Sequence, residues 1–315
     1  MPELVPRKTW YSNITKTNLN NTLNKYKLMN KYNMDISNNN NKILDRDYEQ
    51  WLVGFIDGEG SFRMTLRDNK RYTFDLNMHL HVDDMKVLEK TKYVWNSNNN
   101  MYMPKSTETK IDNTCSMSFG SKDMMLETMM PLLDKYSLMT NKKNDYELWK
   151  KAFLLNLDKT ISWEEKESMT MDIKNKLNKY EESYSPSSAF IKKHTNMNWF
   201  MGFLEAEGSF LMRQQKDLLM VQMTQHENNE TLLNEMVLFL NNLTPDSECT
   251  MDIPKKVPAK LYKDKNKLRM MFSSLDYVYW VFMPNMLNHN LETKKTLWFT
   301  LWSMLVMLKK QWFNK

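Results

Sequence analysis

The sequence predicts a mixed α+β chain made of two related halves, each an antiparallel sheet backed by helices. A short segment recurs, its later landmarks recur in the same order, and apolar and polar residues alternate after each copy. The segment Trp51-Leu-Val-Gly-Phe-Ile-Asp-Gly-Glu-Gly-Ser-Phe62 returns as Trp199-Phe-Met-Gly-Phe-Leu-Glu-Ala-Glu-Gly-Ser-Phe210, at an offset of 148. His81-Val-Asp-Asp84 then matches His226-Glu-Asn-Asn229. Pro131, Leu138, Thr140, Lys142 and Trp149 match Pro284, Leu291, Thr293, Lys295 and Trp302. Order kept over so many landmarks indicates an internal duplication.

Each copy opens on an apolar helix, expected over 48–58 and 196–206. Two strands follow. In the first copy Phe62, Met64 and Leu66 alternate with Ser61, Arg63, Thr65 and Arg67, and Tyr72 to Val82 continues at the same period of two. Asp83 or Asp84 is placed to cap the next helix. Two further strands and two helices complete each unit. The expected organisation is a leader over 1–46, Asn- and Lys-rich and mostly disordered; a first domain over 47–155; a linker over 156–195; and a second domain over 196–315. Ser162 followed by Glu165 is a capping-box start, so part of the linker is helical.

Composition bounds the function. With 44 basic and 38 acidic residues, a net charge of +6 permits a polyanionic partner without requiring one. Only seven residues are Arg, whereas Asn, Lys and the 29 Met are abundant and Gly falls to 6. Lys and Asn have A-rich codons, and a mitochondrial code reads extra codons as Met and Trp. The pattern points to an AT-rich organellar gene and a mitochondrial protein; Met enrichment for adaptable packing is the alternative. Two distant cysteines suggest neither disulfide nor zinc site. The most apolar run, Leu297–Leu308, is too short to span a bilayer, so no membrane partner is expected.

The repeated segment carries the chemistry. Gly54 and Gly58 are four apart, as are Gly202 and Ala206, and each pair forms a small-residue stripe that lets two helices pack closely. Gly60 and Gly208 suit a left-handed residue that ends the helix. Glu59 and Glu207 sit at the helix C-terminus, where the helix dipole disfavours a carboxylate. Cations would make that placement favourable, and the unpaired carbonyls at the same ends, at Gly58 and Ala206, add hard oxygen ligands. All-oxygen coordination suits Mg²⁺. The alternative is that both glutamates are solvated helix-end residues of a duplicated scaffold. Asp57 and Glu205 are read mainly as supporting residues.

Leu52-Val-Gly-Phe-Ile-Asp-Gly-Glu-Gly60 and Phe200-Met-Gly-Phe-Leu-Glu-Ala-Glu-Gly208 resemble, without gaps, the signature of the LAGLIDADG homing endonucleases and RNA maturases in their single-chain, two-motif form. The similarity runs over about 47–155 and 196–308. It implies a saddle of two four-stranded sheets over duplex DNA, paired motif helices, and Glu59 and Glu207 as the metal-binding, catalytic acids. Mg²⁺ is the implied cofactor, with Mn²⁺ able to substitute. Lys142 and Lys295, in matching places, are nominated as auxiliary catalytic residues that stabilise transition-state charge; a solvated surface lysine is the alternative. Two halves in one chain make a monomer sufficient.

The strand phase supplies a candidate recognition surface. Arg63, Thr65, Arg67, Thr73, Asn77 and His79 are expected to face outward from the first sheet, and Arg213 and Gln215 from the second, with Gln222 or Gln225 less defined because the alternation breaks down there. Such side chains read base edges in the major groove. The expected function is an intron-encoded endonuclease that cuts a long asymmetric duplex with the help of Mg²⁺. A maturase acting on its own group I intron RNA, or a non-catalytic scaffold, would use the same fold.

Overall fold

The computed structural model describes residues 41–67, 71–95, 101–102, 113–179, 185–213, 217–247, 249, 258–289 and 291–313. Residues 1–40 of the leader expected over 1–46, and Gln215, lie outside them. The first copy runs α1 (Asn41–Glu59), β1 (Gly60–Leu66), β2 (Tyr72–His81), α2 (Met85–Val94), β3 (Met101–Tyr102), β4 (Thr114–Phe119), α3 (Lys122–Met124), α4 (Met130–Tyr136) and α5 (Lys142–Leu157). Helices α6 (Trp163–Lys176) and α7 (Ser188–His194) connect it to the second copy. That copy runs α8 (Met197–Glu207), β5 (Gly208–Arg213), β6 (Leu218–His226), α9 (Glu230–Asn241), β7 (Lys260–Asp264), β8 (Lys267–Phe272), α10 (Leu275–Tyr277), α11 (Met283–Leu287) and α12 (Lys295–Phe313). The motif helix α1 starts at Asn41, inside the segment expected as leader. The capping box is present: the Ser162 side chain accepts from the Glu165 amide.

Both sheets are antiparallel, in the orders β1-β2-β4-β3 and β5-β6-β8-β7. The period-two pattern decides which face is buried. Phe62, Phe74, Leu76 and Met78 point into the core, where Phe62 and Phe74 pack against Trp149 of α5. Phe210 does the same against Phe299 and Trp302 of α12. The indole of Trp149 donates to the Arg63 carbonyl at 3.0 Å, and that of Trp302 donates to the Leu211 carbonyl at 3.2 Å. These matching bonds make Arg63 and Leu211 structural equivalents. Each copy also passes its proline by the same device. Met125–Met129 and Val278–Phe282 are π-helical just before Pro131 and Pro284, which lack an amide donor and crowd the preceding turn.

The motif helices α1 and α8 make the most extensive helix–helix contact among the described residues. A Cβ on Gly54 would overlap the Trp199 carbonyl, and one on Gly202 would overlap the Trp51 carbonyl. A Cβ on Gly58 would overlap that of Ala206. The small-residue stripe therefore sets the approach of the halves, as expected. The expectation for Gly60 and Gly208 fails: no described glycine has positive φ, and Gly208 is extended at φ −90°, ψ 165°. Both are glycine for space, because a Cβ on Gly60 would lie 2.7 Å from the Ile56 carbonyl oxygen, and one on Gly208 would lie 2.6 Å from that of Leu204.

Candidate active site at the paired helix ends

Close pairing of α1 and α8 brings their C-termini together. The Cγ of Glu207 lies 3.3 Å from the position of a Cβ on Gly58. Burial raises the Glu59 carboxyl above its ordinary range, and the nearby Glu207 charge raises it further, while Lys142 and Lys295 oppose the shift. Two carboxylates share a confined, half-buried place, as the motif predicts.

Lys142 and Lys295 enter the same place from the starts of α5 and α12. The Lys142 Nζ donates to the Ile56 carbonyl at 3.3 Å and, more closely, to that of Gly58. The Lys295 Nζ donates to the carbonyls of Glu205 at 2.5 Å, Ala206 at 3.2 Å and Leu204 at 3.5 Å. Each amine thus satisfies carbonyls that a helix end leaves unpaired and brings positive charge to the negative end of the dipole. Burial lowers both amines from the ordinary lysine range, against the raising influence of nearby carboxylates.

Asp57 and Glu205 place those lysines. Both are buried inside the helix pair. Asp57 accepts from the Met139 amide at 2.5 Å, the Thr140 amide at 3.1 Å and the Thr140 hydroxyl. Glu205 accepts from the Glu292 amide at 2.9 Å and from the Thr293 amide and hydroxyl at 2.7 Å. Each therefore ties down the Thr-x-Lys turn of its own half. The opposite half holds the same turns: Asp84 accepts from the Lys294 amide at 2.6 Å and Asn229 from the Asn141 amide at 3.2 Å. Asp84 thus serves the other half and makes no side-chain cap bond to its own helix, contrary to the capping expectation. The sequence reading noted Thr140 and Thr293 only as landmarks; their fixed spacing before the lysines was the available signal. Burial pushes Asp57 up to about 6 and Glu205 to about 7, against the lowering effect of these donors.

Around this centre the outward sheet faces carry the expected polar residues. Arg63, Thr65, Arg67 and His79 are exposed, Thr73 and Asn77 half-buried. Arg213 is exposed on the second sheet. Between α8 and that sheet an open groove of about 460 Å³ is lined by Glu207, Ser209, Gln222, Thr224, Gln225, His226 and Lys267. Gln222 pairs with Ser209 and shares its outward face, whereas Gln225, three positions along the strand, lies on the opposite face. The sequence reading missed Asp75 and Ser118, which hold Arg63: its Nε donates to Asp75 Oδ1 at 2.8 Å and its Nη2 to Ser118 Oγ at 2.5 Å.

Residues 52–153, carrying the first glutamate and its lysine, match the family model described as LAGLIDADG endonuclease. The chain belongs to the LAGLIDADG endonuclease family. This LAGLIDADG protein is 31% identical over 295 residues to the uncharacterized mitochondrial protein RF1 of Saccharomyces cerevisiae, covering 91% of this chain and 59% of that one. It is 27% identical over 267 residues to the probable intron-encoded endonuclease Cox1-I1b of Schizosaccharomyces pombe, covering 81% of this chain and 63% of the relative. The chain thus spans about three fifths of the length of these two curated relatives. Among solved structures, the meganuclease I-SmaMI bound to uncleaveable DNA superposes with a TM-score of 0.65 at 19% identity, covering 82% of this chain and 90% of that one. I-LtrWI, a LAGLIDADG homing endonuclease bound to target DNA, gives 0.64 at 16%, covering 85% and 92%. The fold is that of the two-domain LAGLIDADG meganucleases.

Proposed function

We propose that this chain is an intron-encoded homing endonuclease of mitochondrial origin that makes metal-dependent double-strand breaks in a long asymmetric duplex. The carrying observation is the convergence of Glu59 and Glu207 at the ends of two packed helices, each end held by a half-buried lysine. The donor set fits a hard divalent cation. Glu59 and Glu207 would hold Mg²⁺, or Mn²⁺ in its place; the Gly58 and Ala206 carbonyls, expected as unpaired ligands, instead accept from the Lys142 and Lys295 amines. Among the described residues no three His, Cys, Asp or Glu side chains cluster, so phosphate and water would supply the remaining oxygens. When bound, the metal supplies Lewis-acid stabilisation of the attacking and leaving oxygens. Lys142 and Lys295 fix the helix ends, and their charge offsets the repulsion between the glutamates. The same lysines are the auxiliary residues for charge developing on phosphate. The exposed polar residues of the two sheets bind the duplex, and the groove beside Glu207 joins one sheet to the reacting centre. Two unlike halves in one chain permit a monomer to read a non-palindromic site of about twenty base pairs, roughly two helical turns.

The test pairs cleavage with binding and folding. Intronless host-gene DNA is expected to be cut in Mg²⁺ and bound uncut in Ca²⁺. Glu59→Gln and Glu207→Gln should each abolish double-strand cleavage while the melting temperature holds or rises, because like charges at a helix end repel. Full cleavage by either variant sinks the assignment. Tight intron-RNA binding with no DNA cleavage at any Mg²⁺ or Mn²⁺ level would replace it with a maturase.

A further inference from the structure

We propose that the outer face of α12 is a self-association surface, on which a second copy of this chain docks through its own α12 to form a weak, twofold-symmetric dimer. The proposal goes beyond the endonuclease reading and does not depend on it.

The first half shows what covers such a face. There the equivalent helix is α5, and α6 lies along it. The covering segment buries Thr170, Ile173 and, just past the end of α6, Leu177. Two polar bonds seat it: Asn156 Nδ2 donates to Thr170 Oγ1 at 2.8 Å, and the Asn178 amide donates to Asp145 Oδ1 at 2.8 Å. Beneath the cover, Asp145 and Ala152 are buried.

The spacing from Lys142 to Trp149 repeats from Lys295 to Trp302, so Asp145, Leu148, Ala152 and Asn156 correspond to Trp298, Leu301, Leu305 and Lys309. On α12 this face is open to water. Trp298 is 59% exposed, Leu301 48% and Leu305 36%, and Leu297 beside them 62%. Both polar anchors are replaced. Trp298 stands at the place of Asp145, and Lys309, at the place of Asn156, donates to the Asp217 carbonyl of its own half. Positions that are polar or small under a cover are therefore large and apolar where the helix is bare, the reverse of what lasting exposure favours. The four side chains leave on the order of 400 Å² of apolar surface in water, the size of the patches that mark interaction sites.

The pattern on the face selects the occupant. Leu297–Leu308 contains no charged residue, so the stripe offers nothing to a polyanion or to a charged peptide. Leu297, Leu301 and Leu305 are four apart and form one row along the helix. A twofold axis through Leu301 sets Leu297 of each copy against Leu305 of the other. The row is thus self-complementary, as an isologous interface requires, and rows of this spacing on two helices interdigitate. Trp298 beside the row is the large anchor such interfaces favour. Two patches together bury about 800 Å², the size of a weak and reversible association. Phe299, Trp302 and Val306, on the other side of α12, are buried, and the first two pack on Phe210 of the sheet. The second copy therefore docks away from the sheet, and each copy keeps its own Glu59 and Glu207.

Sedimentation velocity of the full chain without DNA tests this. The expected result is a monomer–dimer equilibrium with a midpoint on the order of 10–100 µM. Leu301→Glu sets two carboxylates against each other at the axis and should weaken the dimer at least about tenfold. Its melting temperature should hold, because the side chain is half-exposed in the monomer. Leu154→Glu, at an exposed leucine of α5, should leave the equilibrium unchanged. With diamide as oxidant, Leu301→Cys should cross-link to itself, and Leu297→Cys only when mixed with Leu305→Cys. A chain that stays monomeric throughout overturns the proposal, as does a dimer that Leu301→Glu leaves intact. A monomer that instead binds vesicles of anionic phospholipid overturns it in favour of a membrane surface.

Discussion

The two halves perform the same anchoring task with side chains of different length. Glu205 holds its Thr-x-Lys turn and also accepts from the indole of Trp51 across the helix pair at 2.6 Å. Asp57, its counterpart, is one methylene shorter and holds only its own turn. The indole of Trp199, counterpart of Trp51, is buried with no hydrogen-bond partner. One methylene thus separates a cross-half bond to a buried carboxylate from an unsatisfied donor, which is costly in a low-dielectric interior. The pseudo-symmetric interface is energetically lopsided.

That asymmetry can be set against the part of the interface that is symmetric. Gly54→Ala and Gly202→Ala each force a methyl onto a backbone carbonyl of the facing helix. Each is expected to destabilise by about 3 kcal/mol or more, since backbone has less room to give than a side chain. Thermal melts of the two should agree closely; a variant that melts like the parent would mean the helices separate readily. Gly58→Ala, facing a methyl group instead, should cost less, within about 1–3 kcal/mol.

Trp51→Phe against Trp199→Phe isolates the missing bond. Both lose the same side-chain volume, but only the first removes a donor from a buried carboxylate, which keeps its bonds from Glu292 and Thr293. Trp51→Phe is expected to cost about 1.5–3 kcal/mol more than Trp199→Phe, the range for a hydrogen bond to a charged group. Equal losses in denaturant titrations would erase the distinction between the halves.

A further expected effect is on pH dependence. Burial raises Asp57 to about 6 and Glu205 to about 7 in the folded chain, whereas an unfolded carboxylate titrates near about 4. Between those values the folded state binds more protons than the unfolded state. The two groups therefore make stability rise as pH falls from about 7 towards about 4, opposite in sign to a salt-bridged carboxylate. Glu205→Gln should remove the part of that slope nearest pH 7, and Asp57→Asn the part nearest pH 6. Melting temperatures that fall in parallel for parent and both variants over this range would show that neither acid is protonated in the fold.

Much of this was legible in the sequence because duplication repeats what geometry requires. Gly54, Gly58, Gly202 and Ala206 mark the contact, and Glu59 and Glu207 stand at the same place in both copies. The strand phase placed Arg63, Thr65 and Arg67 outward from alternation alone. Partners across strands were not legible. Asp75 lies twelve positions from Arg63, and only hairpin register brings them together. Nor was the second sheet: Leu218, Leu219, Met220 and Val221 run without alternation, because the outward position is itself apolar there. The roles of Asp84 and Asn229 were hidden for a further reason. Each side chain serves a turn in the other copy, a contact absent from any single repeat.

Reciprocal packing of the two motif helices also has a consequence in time. Each helix carries one glutamate of the proposed centre, and 148 positions separate them in the chain. At translation rates of about 5–20 residues per second, the first glutamate leaves the ribosome on the order of ten seconds before the second. During that interval the nascent chain holds half a centre and a bare glycine-lined helix face. On the proposed function, its emergence from the ribosome is therefore harmless to nearby DNA: cutting would become possible only at the step that buries the exposed surface.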